Sequence, residues 1–247
     1  MTDAPKPESL EKLRHVSVAT LATALYKRGL RNQVIQDVRP VAQKGRNMVG
    51  PAFTLRYMPA REDRNQLAEF RKPDHPQRHA IETCPPGHVL VMDSRKNATA
   101  ASAGDILITR LMVRGGAGVV TDGGFRDAAT IAHLDMPAYH QRPSSPTNLT
   151  INEAIDINVP IGCGDAPVFP GDIVVGDDDS VIIIPAHLAD EVADEATEMT
   201  TYEDFVVEQV RQGASIIGLY PATRDENLKK FAEWRNCLLY TSDAADD

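Results

Sequence analysis

Cysteine is scarce, with three residues in 247, and none belongs to a Cys-x-x-Cys pair. That excludes a disulfide framework and argues against a thiolate zinc site. Basic charge is also in deficit: 26 lysines and arginines face 35 acidic residues, for a net charge of −9. Such a chain has no general electrostatic pull toward nucleic acid, so none is expected as a partner. No apolar run approaches membrane-spanning length, so no membrane association is expected. Residues 1–10 are polar and carry two prolines, unlike a secretory signal, and a cytoplasmic location is the expectation. The histidines form no His-Glu-x-x-His pattern. His140 is read as a surface or core histidine, with a place at a pocket border as the alternative.

What is present reads as a mixed α/β chain. The spacing predicts a helix over residues 18–27, with Leu21, Ala24 and Leu25 on one face and Gly29 closing it. Strands are predicted at 48–57, 87–93 and 117–121, and a strand region at 151–162. Residues 171–176 and 181–184 make a hairpin around Asp177, Asp178 and Asp179. Those aspartates lack the spaced ligands of a calcium loop and are read as a turn. Residues 188–212 form a long amphipathic helix, with Val192, Ala196, Met199, Phe205, Val206 and Val210 as its apolar side. A charged insertion, 59–79, is expected to be a surface loop with a short helical turn, able to close over a site or to meet another subunit. Further loops are expected at 95–103 and 141–150, and a short helix at 128–134.

The most informative stretch runs from Gly104 to Asp127. Gly104 and Asp105 open a helix that Gly115 and Gly116 end, a buried strand follows, and Asp122-Gly123-Gly124 forces a turn presenting Arg126 and Asp127. A guanidinium beside a carboxylate, near a helix start, can hold both an anion and a divalent cation. That pairing points to chemistry on a small oxoacid.

Gly104-Asp105, Arg114-Gly115, Asp122-Gly123 and Arg126-Asp127 together resemble the signature of the RraA-like family. The similarity extends to 50–54, 86–93, and 170–172 with 176–181, where Ser180 stands in place of the usual glycine. It covers about residues 16–236. Residues 1–15 are then a flexible N-terminus and 16–236 one aldolase-like domain. Residues 237–247 resemble a translated sequencing adaptor and are read as an assembly scar; without Asp243, Asp246 and Asp247 the net charge is −6.

The resemblance implies a layered ββα sandwich of the swivelling-domain type, one domain with a C-terminal helical tail, assembled as homotrimers or hexamers with sites between subunits. It implies a class II pyruvate aldolase acting on substrates such as 4-hydroxy-4-methyl-2-oxoglutarate or 4-carboxy-4-hydroxy-2-oxoadipate, with oxaloacetate decarboxylation as a side activity. Arg126 would bind substrate, Asp127 would hold magnesium or manganese, and Gly104, Asp105, Ile106 and Leu107 would cradle the carboxylate. Glu203 from a neighbouring subunit is the best match for a further acidic group at the metal. Asp122 would order the turn. The other family branch, regulators of an endoribonuclease, shares the arginine but lacks the following aspartate. A lyase or hydro-lyase of sugar-acid breakdown is a third reading.

The residues support a metal-assisted route independently. Stabilising a pyruvate enolate takes either a Schiff-base lysine in an apolar setting or a Lewis acid. None of the eight lysines sits in a buried-strand context. Magnesium accepts one or two protein carboxylates with waters and substrate, so a single aspartate suffices.

Overall fold

The computed structural model describes residues 4–243, with side chains through Cys237. The remainder of the segment read as an adaptor scar lies outside the described side chains. The helices are α1 (Pro7–Leu13), α2 (Val18–Lys27), α3 (Pro76–Thr83), α4 (Asp105–Val113), α5 (Ala128–Ile131), α6 (Ala189–Arg211) and α7 (Asp225–Asp243). The strands are β1 (Val34–Ile35), β2 (Arg39–Pro40), β3 (Met48–Pro59), β4 (Val89–Asp93), β5 (Ala101–Ala103), β6 (Gly118–Thr121) and β7 (Gly124–Phe125). They continue as β8 (Ala138–His140), β9 (Arg142–Pro143), β10 (Asn152–Ile157), β11 (Ile161–Cys163), β12 (Ala166–Val168), β13 (Ile173–Gly176) and β14 (Val181–Ile184). Packing divides the chain inside α6, into Met1–Asp194 and Glu195–Asp247.

The first unit is mixed α/β. Its main sheet has the order β1-β14-β13-β3-β4-β6-β8-β2, with β10 also pairing β3. The centre, β3-β4-β6-β8, is parallel, and α3, α4 and α5 lie in the connections between its strands. Parallel strands need such crossovers, which bring the loops after β4 and β6 to one edge. Alternation along the strands feeds two cores. Leu90, Met92 and Val119 pack with Ile81, Ile108, Leu111 and Ile131 from the helices. Val89, Val91 and Val120 pack with Ile161, Cys163, Ala166 and Val168 of the β11–β12 hairpin.

Several elements follow the sequence pattern closely. Ser17 caps α2 by accepting from the Thr20 amide, and Gly29 takes the positive φ of +82° that follows such a helix. Asp177 serves the predicted turn: one carboxylate oxygen accepts from the Asp179 and Ser180 amides, the other from Val18 at the start of α2. Others differ. The insertion ends in a true helix, α3, and the N-terminal segment carries α1, whose Leu13 is fully buried. In the second unit Tyr202, Phe205, Phe231 and Trp234 form an aromatic cluster. Val210, expected on the buried face of the long helix, is 43% exposed.

His140 belongs to the core. It is buried, stacks on Phe125 at 5.5 Å, and has no partner for Nδ1 among the described residues. Burial pulls its pKa from 6.5 down to about 4. The folded chain holds the ring neutral while the unfolded chain gains a proton near 6.5, so stability falls as pH drops from about 6.5 toward about 4. His140→Phe retains the stack and is expected to flatten this part of a urea-derived stability curve. An unchanged slope would assign the pH dependence to other groups.

Candidate active site

The site is built on the loops beyond β4 and β6. Asp122, directly after β6, is fully buried and accepts from three backbone amides: Ser94 at 2.6 Å, Lys96 at 3.0 Å and Gly164 at 3.0 Å. Burial pushes its pKa up against these three donors. Beside it the hydroxyls of Ser94, Ser102 and Thr121 are joined at 2.6–3.2 Å. Gly123 threads between them, since a Cβ there would lie 2.7 Å from Ser102 Oγ and from Ser94 Cβ. The turn expected from Asp122-Gly123-Gly124 is thus held by a side chain on one side and admits no side chain on the other.

This brace sets a small parallel sheet, β5-β7-β9. The Arg126 amide donates to the Ala103 carbonyl at 3.1 Å, carrying the chain into Asp127. Asp127 has φ +56° and ψ +33°, a left-handed conformation that aspartate tolerates at a cost of roughly 1 kcal/mol. It stands at the start of α5, yet its carboxylate makes no capping bond. Instead Oδ2 accepts from Arg126 Nε at 3.2 Å, with the two side chains 50% and 40% exposed. An ion pair this accessible contributes at most about 1 kcal/mol, so the carboxylate is readily released to another cation.

Gly104 is the N-cap of α4 and packs against this pair. A Cβ there would come within 2.8 Å of Arg126 Cγ and 3.1 Å of Asp127 Oδ2. Gly104→Ala is therefore expected to leave the fold intact while displacing Arg126, lowering turnover by roughly tenfold to a hundredfold. Near-wild-type kcat/KM in that variant would show that the close approach is not needed.

An open cleft of about 190 Å³ gathers Gly104, Asp105, Ile106, Leu107, Arg126 and Asp127. The cleft residues predicted from the sequence thus converge, with one adjustment. The Ile106 amide is occupied by Asp105 Oδ1 at 2.8 Å, which removes it from the expected carboxylate cradle. The Ile106 side chain is 80% exposed at the rim. Glu203, expected to act from a neighbouring subunit, lies in the second unit, where its carboxylate accepts from the Tyr220 hydroxyl at 3.0 Å.

Sequence reasoning passed over the rest of the wall. Phe70, Gln77 and Arg78 come from the 59–79 insertion, Ala101 and Ala103 from β5, and Thr147 and Asn148 from the 141–150 loop. Gln77 is buried and donates to the Ser102 carbonyl and the Tyr57 hydroxyl, tying α3 to the hydroxyl cluster. The signals available were the unusual insertion and loop themselves, without an indication of which side chains turn inward.

The donor set fits a hard divalent cation with few protein ligands. Among the described residues no three histidine, cysteine or acidic side chains cluster as a metal cage. Asp127 offers a carboxylate unburdened by capping and beside open cleft, the arrangement magnesium tolerates. No lysine is among the residues that line the cleft. Lys12 and Lys96 have pKa values raised by hydrogen bonds to Asp194 and Asp165, opposite to the depression a Schiff base requires.

The chain resembles known proteins over much of its length. A family model described as RraA-like, Aldolase/RraA, matches residues 18–183. A protein of Halalkalibacterium halodurans, provisionally named 4-hydroxy-4-methyl-2-oxoglutarate aldolase, is 31% identical over 168 residues, covering 68% of this chain and 73% of the relative. The crystal structure of Streptomyces coelicolor RraAS2, described as an unusual member of the RNase ES inhibitor RraA protein family, superposes with a TM-score of 0.72. It is 30% identical and the match covers 82% of this chain and 97% of that one. An uncharacterised protein of Pseudomonas syringae has the same fold, with a TM-score of 0.77 at 22% identity, over 89% of this chain and 96% of that one. Among the described residues no helix is long and apolar enough to cross a membrane.

Proposed function

The chain belongs to the RraA-like family, and we propose that it is a divalent-metal-dependent lyase releasing pyruvate from a 4-hydroxy-2-oxoacid. The observation that carries this reading is the meeting of Arg126, Asp127 and the start of α4 in one cleft. When bound, magnesium or manganese supplies Lewis acidity at the keto oxygen. Asp127 would hold that ion. The free amides at the α4 N-terminus, Asp105 and Leu107, would hold the substrate carboxylate, where the helix dipole favours an anion. Arg126 would stand by the same oxygens and neutralise charge as the carbon–carbon bond breaks and the enolate forms. Preorganised stabilisation of this kind is commonly the largest catalytic contribution. The same enolate would allow decarboxylation of oxaloacetate. Trimer or hexamer assembly, ββα layering and a contribution from Glu203 of a neighbouring copy belong to this proposal.

Arg126→Ala tests the role of the guanidinium. It is expected to raise KM and lower kcat together, by about 10²-fold or more in kcat/KM, because the contact strengthens as charge develops. A rise in KM alone would reduce Arg126 to a binding residue. The likeness to RraAS2 favours a second reading, a non-catalytic chain that binds an endoribonuclease. Asp127 separates the two, since a regulator without chemistry has no need of a carboxylate beside the arginine.

A further inference from the structure

Two side-chain donors in the cleft wall have nothing to bind. Arg78 Nη1 and Asn148 Nδ2 are buried without a hydrogen-bond partner among the described residues, and both residues line the cleft with Arg126 and Asp127. A buried donor left unpaired costs about 1–3 kcal/mol, and more when charged. In a cleft wall such groups mark what the cleft is shaped to receive. Neither is a loose surface group. The Arg78 guanidinium lies over the Phe70 ring at 4.2 Å, a cation–π contact that fixes its plane. Burial lowers its pKa, and no carboxylate raises it back. The Asn148 amide oxygen already accepts from Thr147 Oγ1 at 3.3 Å, leaving the NH2 end over.

We infer that Arg78 and Asn148 form a second anion subsite, which reads a carboxylate at the end of the substrate remote from its keto acid. Two donors suit the two oxygens of a carboxylate. An alkyl end would leave both donors buried and unpaired, and the site discriminates against it for that reason. The subsite comes from the 59–79 insertion and the 141–150 loop, so these segments select substrate rather than perform chemistry. It rests on the proposed function only for the substrate's orientation.

The test uses 2-oxoglutarate and 2-oxopentanoate, which have equal chain length and differ by a carboxylate in place of a methyl group. Neither carries the 4-hydroxyl needed for cleavage, so binding to the full chain can be measured by calorimetry, with magnesium and without. 2-Oxoglutarate is expected to bind roughly tenfold or more tightly. Arg78→Met, which keeps an apolar stem against Phe70, is expected to bring the two ligands close to parity by weakening 2-oxoglutarate alone. Asn148→Ala is expected to shrink the preference in the same direction, and serves if the Arg78 variant does not fold. Equal affinities in the unmodified protein, a preference that survives both substitutions, or no 2-oxoglutarate binding at millimolar concentration would overturn the subsite. Absence of lyase activity with the preference intact would instead overturn the proposed function and leave the subsite standing.

Discussion

Asp127→Asn is expected to abolish metal-dependent pyruvate release, a fall of about 10³-fold or more in kcat/KM, while changing stability by less than about 0.5 kcal/mol. Both halves follow from the local geometry. Asparagine tolerates the left-handed conformation at this position as well as aspartate does. The carboxylate caps nothing, so no helix bond is lost. Its contact with Arg126 is half-exposed and contributes little to folding. What disappears is the negative charge that would hold a divalent cation beside the arginine. Turnover within about tenfold of the unmodified protein would remove Asp127 from the mechanism. A collapse of the fold would mean that its charge is structural.

The opposite pattern is expected one turn earlier. Asp122→Ala should destabilise the first unit by about 3–5 kcal/mol, because three backbone amides lose their acceptor in a dry environment. The loss is less than the sum of three full desolvation penalties. Burying the carboxylate is itself unfavourable, as its raised pKa indicates, and the substitution relieves that cost. Asp122→Asn should fall between, since the amide keeps one acceptor oxygen but turns an NH2 group toward donors formerly facing the other. Urea denaturation with a common slope measures both. A loss under about 1 kcal/mol for the alanine variant would show that water replaces the carboxylate and that the turn does not depend on it.

The contrast between neighbouring aspartates shows which parts of the site were open to sequence reasoning. Gly104, Arg126 and Asp127 stand out in the text because glycine-rich turns after an apolar strand are where backbone and charge converge. Period-based elements such as α2, β3 and α4 were legible for the same reason, being written in local residue order. The hidden part is the cleft wall from α3 and the 141–150 loop. The inner face of α3 is led by Gln77, a polar residue whose burial depends on Tyr57 and Ser102, so its helical stripe does not read as apolar. The strands β5, β7 and β9 have two or three residues each, too few to display a period. Arg78 and Asn148 are set by long-range packing, which no spacing within one sequence encodes.

The most direct test is pyruvate release from 4-hydroxy-4-methyl-2-oxoglutarate and from oxaloacetate, with magnesium and with EDTA, each against a control without protein. The control matters because magnesium alone promotes loss of CO2 from oxaloacetate. Turnover above the control that EDTA abolishes and added magnesium restores is the expected result. Folded protein that releases no pyruvate from either substrate with magnesium present would contradict the pyruvate-releasing assignment and favour a lyase of sugar-acid breakdown first and the ribonuclease-binding reading second.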